Sequence, residues 1–136
     1  MLQHIDCRMF KKTLLLFIAI FTLLSCDPVH RLTLENRSNM TINVIYSPEL
    51  DDSFMKDKKA IELDIYGQKM YQVSIDSTES IEIGSVVARY TPRASDVWLD
   101  YLEIRRGQDT LRLTGRGEIL STIQEVGKLD WRLIIE

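Results

Sequence analysis

The sequence predicts a mainly β fold: an antiparallel β-sandwich, immunoglobulin-like or similar, of about eight short strands with one short C-terminal helix. Three observations predict it. From residue 31 onward, short runs alternate apolar and polar residues, the period of a strand with one wet face. Clusters of Asn, Asp, Ser and Gly punctuate these runs. Only one later segment carries apolar residues at helical spacing, and no internal repeat is visible.

Residues 31–46 read as a first hairpin. Leu32 and Leu34 alternate with Thr33 and Glu35, and Met40, Ile42, Val44 and Tyr46 alternate likewise. Asn36, Arg37, Ser38 and Asn39 are turn residues, so Leu34 is expected opposite Ile42 and Leu32 opposite Val44. Residues 47–59 break the pattern. Ser47-Pro48-Glu49 suits a helix start, and Leu50 and Phe54 then share one side of a helical turn within a long loop. Residues 60–75 form a second predicted hairpin. Ile61, Leu63 and Ile65 are expected opposite Ile75, Val73 and Tyr71 across Gly67-Gln68-Lys69.

After a turn at residues 76–79, Ile81 and Ile83 open another strand, which Gly84 is expected to bend before it continues through residues 86–90. Residues 91–96 are a loop. Residues 97–105 and 110–114 make a third hairpin around residues 106–109. Leu102 faces Leu113 and Ile104 faces Leu111 inside, while Glu103 faces Arg112 outside as a favourable cross-strand pair. If residues 110–114 lie at a sheet edge, they offer their backbone to a partner strand. Ile119, Leu120, Ile123 and Val126 predict a helix over 118–126, capped by Gly127. Leu129, Trp131, Leu133 and Ile135 alternate in a final strand.

The N-terminal region has a different character. Residues 13–24 are apolar and uncharged, but as a helix they reach only about 18 Å against a hydrocarbon core of roughly 30 Å. Arg8, Lys11 and Lys12 precede the run, and Leu23-Leu24-Ser25-Cys26 ends it. A basic front, a short apolar middle and a small residue at the exit describe a secretory signal peptide. The exit resembles the lipobox of bacterial lipoproteins. That resemblance implies diacylglycerol on the Cys26 sulfur, cleavage between Ser25 and Cys26, and acylation of the new amino end. The competing reading is a cysteine that ends an ordinary signal peptide or a buried helix. Met9 is a second possible start.

The expected organisation is therefore a signal peptide over 1–25, a lipid-anchored tether over 26–30 and a single β-sandwich domain over 31–136. Asp27, next to the lipid cysteine, resembles an inner-membrane retention signal of enterobacterial lipoproteins, but sorting rules differ between phyla. The following residues lack the acidic cluster that resembles a surface-export signal in Bacteroidota lipoproteins. A periplasm-facing anchor is expected, with the outer membrane preferred over the inner.

Of 17 basic and 20 acidic residues, Arg8, Lys11, Lys12 and Asp6 fall in the leader, so 14 and 19 remain, a net charge of −5. Such a surface gives no electrostatic footprint for nucleic acid and no net attraction to anionic headgroups. Of the two cysteines, Cys7 and Cys26, only Cys26 survives cleavage, so the domain has neither a disulfide nor thiol chemistry.

Sites for chemistry are few. Asp51, Asp52, Ser53 and Asp57 could suggest calcium, but they lack the ligand ladder and the turn glycine, and a solvated acidic loop is preferred. His30 is the one histidine after the leader. It reads as a surface residue of the tether, and no G-x-S-x-G elbow accompanies it. Gly115-Arg116-Gly117 is half a phosphate loop without the Gly-Lys-Ser/Thr that completes one. Asp96, Asp100 and Glu103 lie near Trp98 and Tyr101, a mixture that can bind sugars or run a glycosidase. Period two places Trp98 and Asp100 on the face opposite Tyr101 and Glu103. Trp98, Asp100 and Tyr101 are the candidate ligand or partner contacts.

Asp76-Ser77-Thr78 and Asp109-Thr110-Leu111 resemble the O-glycosylation site of Bacteroidota. With the lipobox, they give a resemblance to small Bacteroidota lipoproteins. The resulting expectation is a non-catalytic, lipid-anchored envelope domain. It would need no cofactor or metal, would meet the membrane through the acyl chains on Cys26, and would bind an envelope protein. A small glycan-acting enzyme, a glycan-binding module and an inhibitor or immunity lipoprotein are the alternatives.

Overall fold

The computed structural model describes residues 29–87 and 91–136. The leader, Cys26 and the strand residues expected at 88–90 lie outside them. Among the described residues, nine strands and one α-helix follow in chain order: β1 (Val29–Asn36), β2 (Ile42–Ser47), β3 (Ile61–Ile65), β4 (Gln68–Ile75), β5 (Ser80–Val87), β6 (Tyr101–Arg106), β7 (Asp109–Thr114), α1 (Arg116–Thr122), β8 (Gln124–Gly127) and β9 (Asp130–Ile135). They form a four-stranded sheet, order β5-β1-β9-β8, and a five-stranded sheet, order β3-β4-β2-β6-β7. The described pairings are antiparallel except β1 with β9, which is parallel. The mainly β, sandwich-like class is thus the one expected.

The core lies between the sheets. Leu32, Leu34, Ile81 and Leu133 fill it from the smaller sheet, and Ile42, Val44, Tyr46, Ile75 and Leu102 from the larger. Burying each such side chain stabilises the fold by roughly 1.5–3 kcal/mol before the entropy cost of folding.

The first expected hairpin does not exist. β1 pairs with β5 and β9, whereas β2 pairs with β4 and β6, so residues 37–41 cross from one sheet to the other. Leu32, Leu34, Ile42 and Val44 do meet in the core, but from opposite sheets. Alternation reports which face of a strand is buried and not which strand it pairs with. β1 also starts at Val29 and so takes in His30.

The second hairpin forms in a different register. Ile65 pairs with Gln68, Leu63 with Met70 and Ile61 with Gln72. Tyr66 and Gly67 close it as a two-residue turn at φ 56° and 78°, the backbone handedness that matches strand twist. This register turns Ile61, Leu63 and Ile65 to the outer face, while Tyr71, Val73 and Ile75 supply the core row.

The third hairpin has the expected register: Leu102 with Leu113, Ile104 with Leu111 and Glu103 with Arg112. Its loop is only Gly107-Gln108, because Arg106 and Asp109 are already paired. The helical turn in the long loop is a 3-10 turn at Asp52–Phe54, capped by Asp51 rather than started at Ser47-Pro48. The expected helix over 118–126 stops at Thr122, and residues 124–127 are β8 instead. A short helix that buries only Ile119 gains little by lengthening, whereas residues 124–127 gain a ladder with β9. Gly127 therefore closes the β8–β9 hairpin opposite Asp130 rather than capping a helix.

β5 carries the expected irregularity at Gly84. Leu32 pairs with Gly84 and the next residue, Thr33, with Glu82, which leaves Ile83 as the extra residue of a bulge. Because β1 and β2 run in opposite directions across the short crossing, Val29, Ser47 and the Tyr66-Gly67 turn lie at one end of the sandwich. Asn36 and Gly107 lie at the other.

Candidate functional site

The outer face of the five-stranded sheet carries a groove whose origin is local. Pro48 has no N–H to extend the ladder, so β2 ends at Ser47. Ser47 pairs with Tyr101, and continuing the Tyr46–Tyr71 register puts Met70 on its other side. A small side chain therefore sits between two large ones. The groove encloses about 620 Å³, walled by Ile65, Tyr66 and Met70 on one side and by Tyr101, Arg105 and Arg112 on the other.

Glu103 lies at its base. It points away from the core, yet the residue is only 3% exposed, because three donors cover it. The Tyr101 hydroxyl donates at 2.6 Å, Arg105 Nε at 2.5 Å and Arg112 Nε at 2.7 Å. Burial pushes the Glu103 carboxyl up, but the hydrogen bonds from Tyr101, Arg112 and Arg105 outweigh it and hold the group down at about 2. Burial, helped by the Glu103 charge, moves the Tyr101 phenol the other way. Glu103 is therefore a fixed anion whose role is to position two guanidiniums.

Those guanidiniums are unlike the one on the opposite sheet. Arg132 spends Nε and both terminal nitrogens on Asp130 and Glu35, at 2.9, 2.7 and 2.5 Å. Arg105 and Arg112 engage Glu103 through Nε alone, and their side chains remain 49% and 66% exposed. Among the described residues, no further carboxylate takes their terminal nitrogens, and Tyr101 is the one other side chain in hydrogen-bonding range of Arg112. With one carboxylate against two guanidiniums, the groove carries one net positive charge on a chain that is negative overall. A second depression, near Glu49, Asp57, Lys58 and Glu62, mixes charges of both signs and holds no comparable cluster.

The buried carboxylate makes stability acid-sensitive. Its folded pKa lies below the ordinary value of 4.5, so its contribution is complete above pH 4.5 and is lost as pH falls towards 2. Allowing for solvent screening of the two exposed arginines, that contribution is on the order of 2 kcal/mol. Between pH 5 and pH 2, the wild type is expected to lose about 2 kcal/mol more than Glu103→Gln, measured by urea unfolding. Parallel losses in the two proteins would refute this assignment.

The residues singled out from sequence fall in separate places. Trp98 packs its ring on Phe54, centroids 4.3 Å apart, and its backbone N–H donates to Ile83 O at 2.9 Å. Asp100 pairs with Arg116 at the start of α1, at 2.7 Å. Asp96 accepts from the Arg93 N–H at 2.7 Å and closes its own 3-10 turn. Of the candidate contacts Trp98, Asp100 and Tyr101, only Tyr101 lines the groove, and Asp96, Asp100 and Glu103 are each engaged separately. His30 is not a free surface residue. It lies in β1 opposite Val86, with Nε2 buried and without a hydrogen-bond partner among the described residues. In the acidic loop, Asp51 accepts from the Ser53 N–H at 2.9 Å, and no group of three or more metal-ligating side chains occurs among the described residues.

Sequence reasoning missed Arg105, Tyr66 and Met70. The Glu103–Arg112 pair was the available signal for Arg105, since period two puts residue 105 on the face of residue 103. Tyr66 and Met70 reach this site only through the sheet order β4-β2-β6. Comparison with known proteins finds no matching family model, no matching curated protein and no matching solved structure.

Proposed function

We propose that the protein is an envelope lipoprotein, anchored by acyl chains on Cys26, whose β-sandwich is a non-catalytic binding or accessory domain with the Arg105–Arg112 groove as its recognition surface. The observation that supports it most is the Tyr101–Glu103–Arg105–Arg112 cluster. A carboxylate locked as an anion between three donors offers no mobile proton for acid–base chemistry, but it holds two cations rigidly in place for recognition. The anchor reading rests on Lys11, Lys12, the uncharged run and the Leu23-Leu24-Ser25-Cys26 exit. The two parts fit together. Cys26 precedes Val29 by three positions, at most about 10 Å of chain, and Val29 lies at the Tyr66 end of the sandwich. The groove would then open sideways near the bilayer, where an envelope partner is within reach.

The test is cross-linked capture from native membranes with wild type, Cys26→Ser and an Arg105→Gln/Arg112→Gln double variant. Cys26→Ser is expected to leave the membrane fraction. The double variant is expected to stay there but lose the captured partner. A Cys26→Ser protein that still sediments with membranes would remove the anchor, and a double variant that keeps its partner would remove the groove.

A further inference from the structure

Tyr66 breaks a local rule without any gain to the fold. It occupies the first position of a two-residue hairpin turn at φ 56°, where asparagine, aspartate or glycine is the ordinary choice. The residue is fully exposed, so it contributes no burial that would offset the strained backbone. An aromatic ring held in the open at the rim of a groove suits contact with something outside the chain. Across the groove stand the ring of Tyr101 and the two arginines, and Gln68, paired with Ile65, adds a planar amide to the Tyr66 side.

Resting on the binding-domain reading above, we infer that this groove binds an acidic sugar. The ring faces of Tyr66 and Tyr101 meet the flat face of the saccharide, and the outward nitrogens of Arg105 and Arg112 take its carboxylate. Guanidinium forks match a carboxylate in geometry as well as charge. The one net positive charge suits one acidic group at a time. The groove is lined by aromatic and cationic side chains together, which suits a ring-shaped polar ligand that carries an acidic group. Gln68 and the arginines supply donors for hydroxyl groups.

The test uses the full-length protein and calorimetric titration with short oligogalacturonates and sialyllactose as acidic probes. Methyl-esterified oligogalacturonate serves as the uncharged control and a glutamate-rich peptide as the competitor class. Acidic sugar should bind at least about tenfold tighter than its ester, and tightness should fall as salt rises. Arg112→Gln and Arg105→Gln should each weaken it about tenfold or more. Tyr66→Asn is the sharper variant: asparagine suits the left-handed backbone, so Tm should hold or rise while binding weakens about tenfold. A merely structural tyrosine would not give that combination.

Equal binding of acid and ester, or full binding by Tyr66→Asn, overturns the inference. So does binding of the peptide without the sugar, or binding of no probe. In the last two cases, partner capture that still depends on Arg105 and Arg112 keeps the binding-domain reading. Loss of that dependence removes both.

Discussion

Replacing Gly84 with alanine is expected to destabilise the protein by about 3–4 kcal/mol, with Tm falling by about 10–20 °C. The added methyl carbon would lie 2.3 Å from Asp96 O and 2.8 Å from Leu32 Cδ1. Neither neighbour yields easily. Leu32 is fully buried in the core. The Asp96 carbonyl belongs to the Ala94–Asp96 3-10 turn, tied down by Asp96 N–H to Arg93 O at 2.9 Å and by Arg93 N–H to the Asp96 side chain. Relief requires β5 to move off that turn. The move breaks the bridge between Gly84 and Val97 and the hydrogen bond from Trp98 N–H to Ile83 O. Gly117→Ala is the internal control. It sits in the first turn of α1 with nothing within 4 Å of the added carbon, and it should be neutral or slightly stabilising. Urea unfolding of the two variants decides the matter: a cost below about 1 kcal/mol for Gly84→Ala would mean that the bulge absorbs the methyl group.

Gly84 also marks what could be read from sequence. A glycine within an alternating strand signals a bulge or a close approach, and here it is both. The residue 101–114 hairpin was legible because Gly107 fixes a short turn, after which period two dictates each facing pair, including Glu103 with Arg112. The 61–75 hairpin was legible in outline but not in register. Its turn uses Tyr66, an aromatic on a left-handed backbone, which turn chemistry argues against, and the expected loop at residues 67–69 moved every pairing by three residues. At residues 118–126, Ile119 and Leu120 do lie in a helix, but it ends at Thr122, and pairing with β9 draws the following residues, Val126 among them, into β8.

The candidate site was half legible for the same reason. Tyr101, Glu103 and Arg112 belong to one hairpin, so local pattern brings them together. Met70 and Tyr66 join them only because β2 lies between β4 and β6 and stops at Ser47, and this order is set by the crossing after β1. What the chain does at residues 36–41 therefore governs what stands beside the arginines.

Asn36 holds that crossing, and Asn36→Ala is expected to cost about 3 kcal/mol. The residue is fully buried at the end of β1. Its amide nitrogen donates to Met40 O and Ile75 O, both at 2.9 Å, and its oxygen accepts from Ser38 N–H at 3.0 Å and Ser38 Oγ at 2.6 Å. Two donors and two acceptors are thus all used, which ties the end of one sheet to the crossing loop and to β4 of the other sheet. Alanine removes a donor to Ile75 O and the acceptor of the Ser38 N–H, while Met40 O keeps the Ser38 hydroxyl at 3.0 Å, and buried polar groups left unpaired cost about 1–3 kcal/mol each unless water reaches them. Asn36→Asp separates this account from simple loss of packing. The introduced carboxylate keeps the shape but sets an anion against two carbonyl oxygens. Burial and those oxygens raise its pKa above the unfolded value, so the penalty is full at neutral pH and eases as pH falls through that raised pKa. At pH 7, Asn36→Asp should therefore be less stable than Asn36→Ala, and the gap should narrow towards pH 4, where the protonated acid regains one donor. Identical pH profiles for the two variants in urea unfolding would show that Asn36 fills space at the crossing rather than bonding the two sheets together.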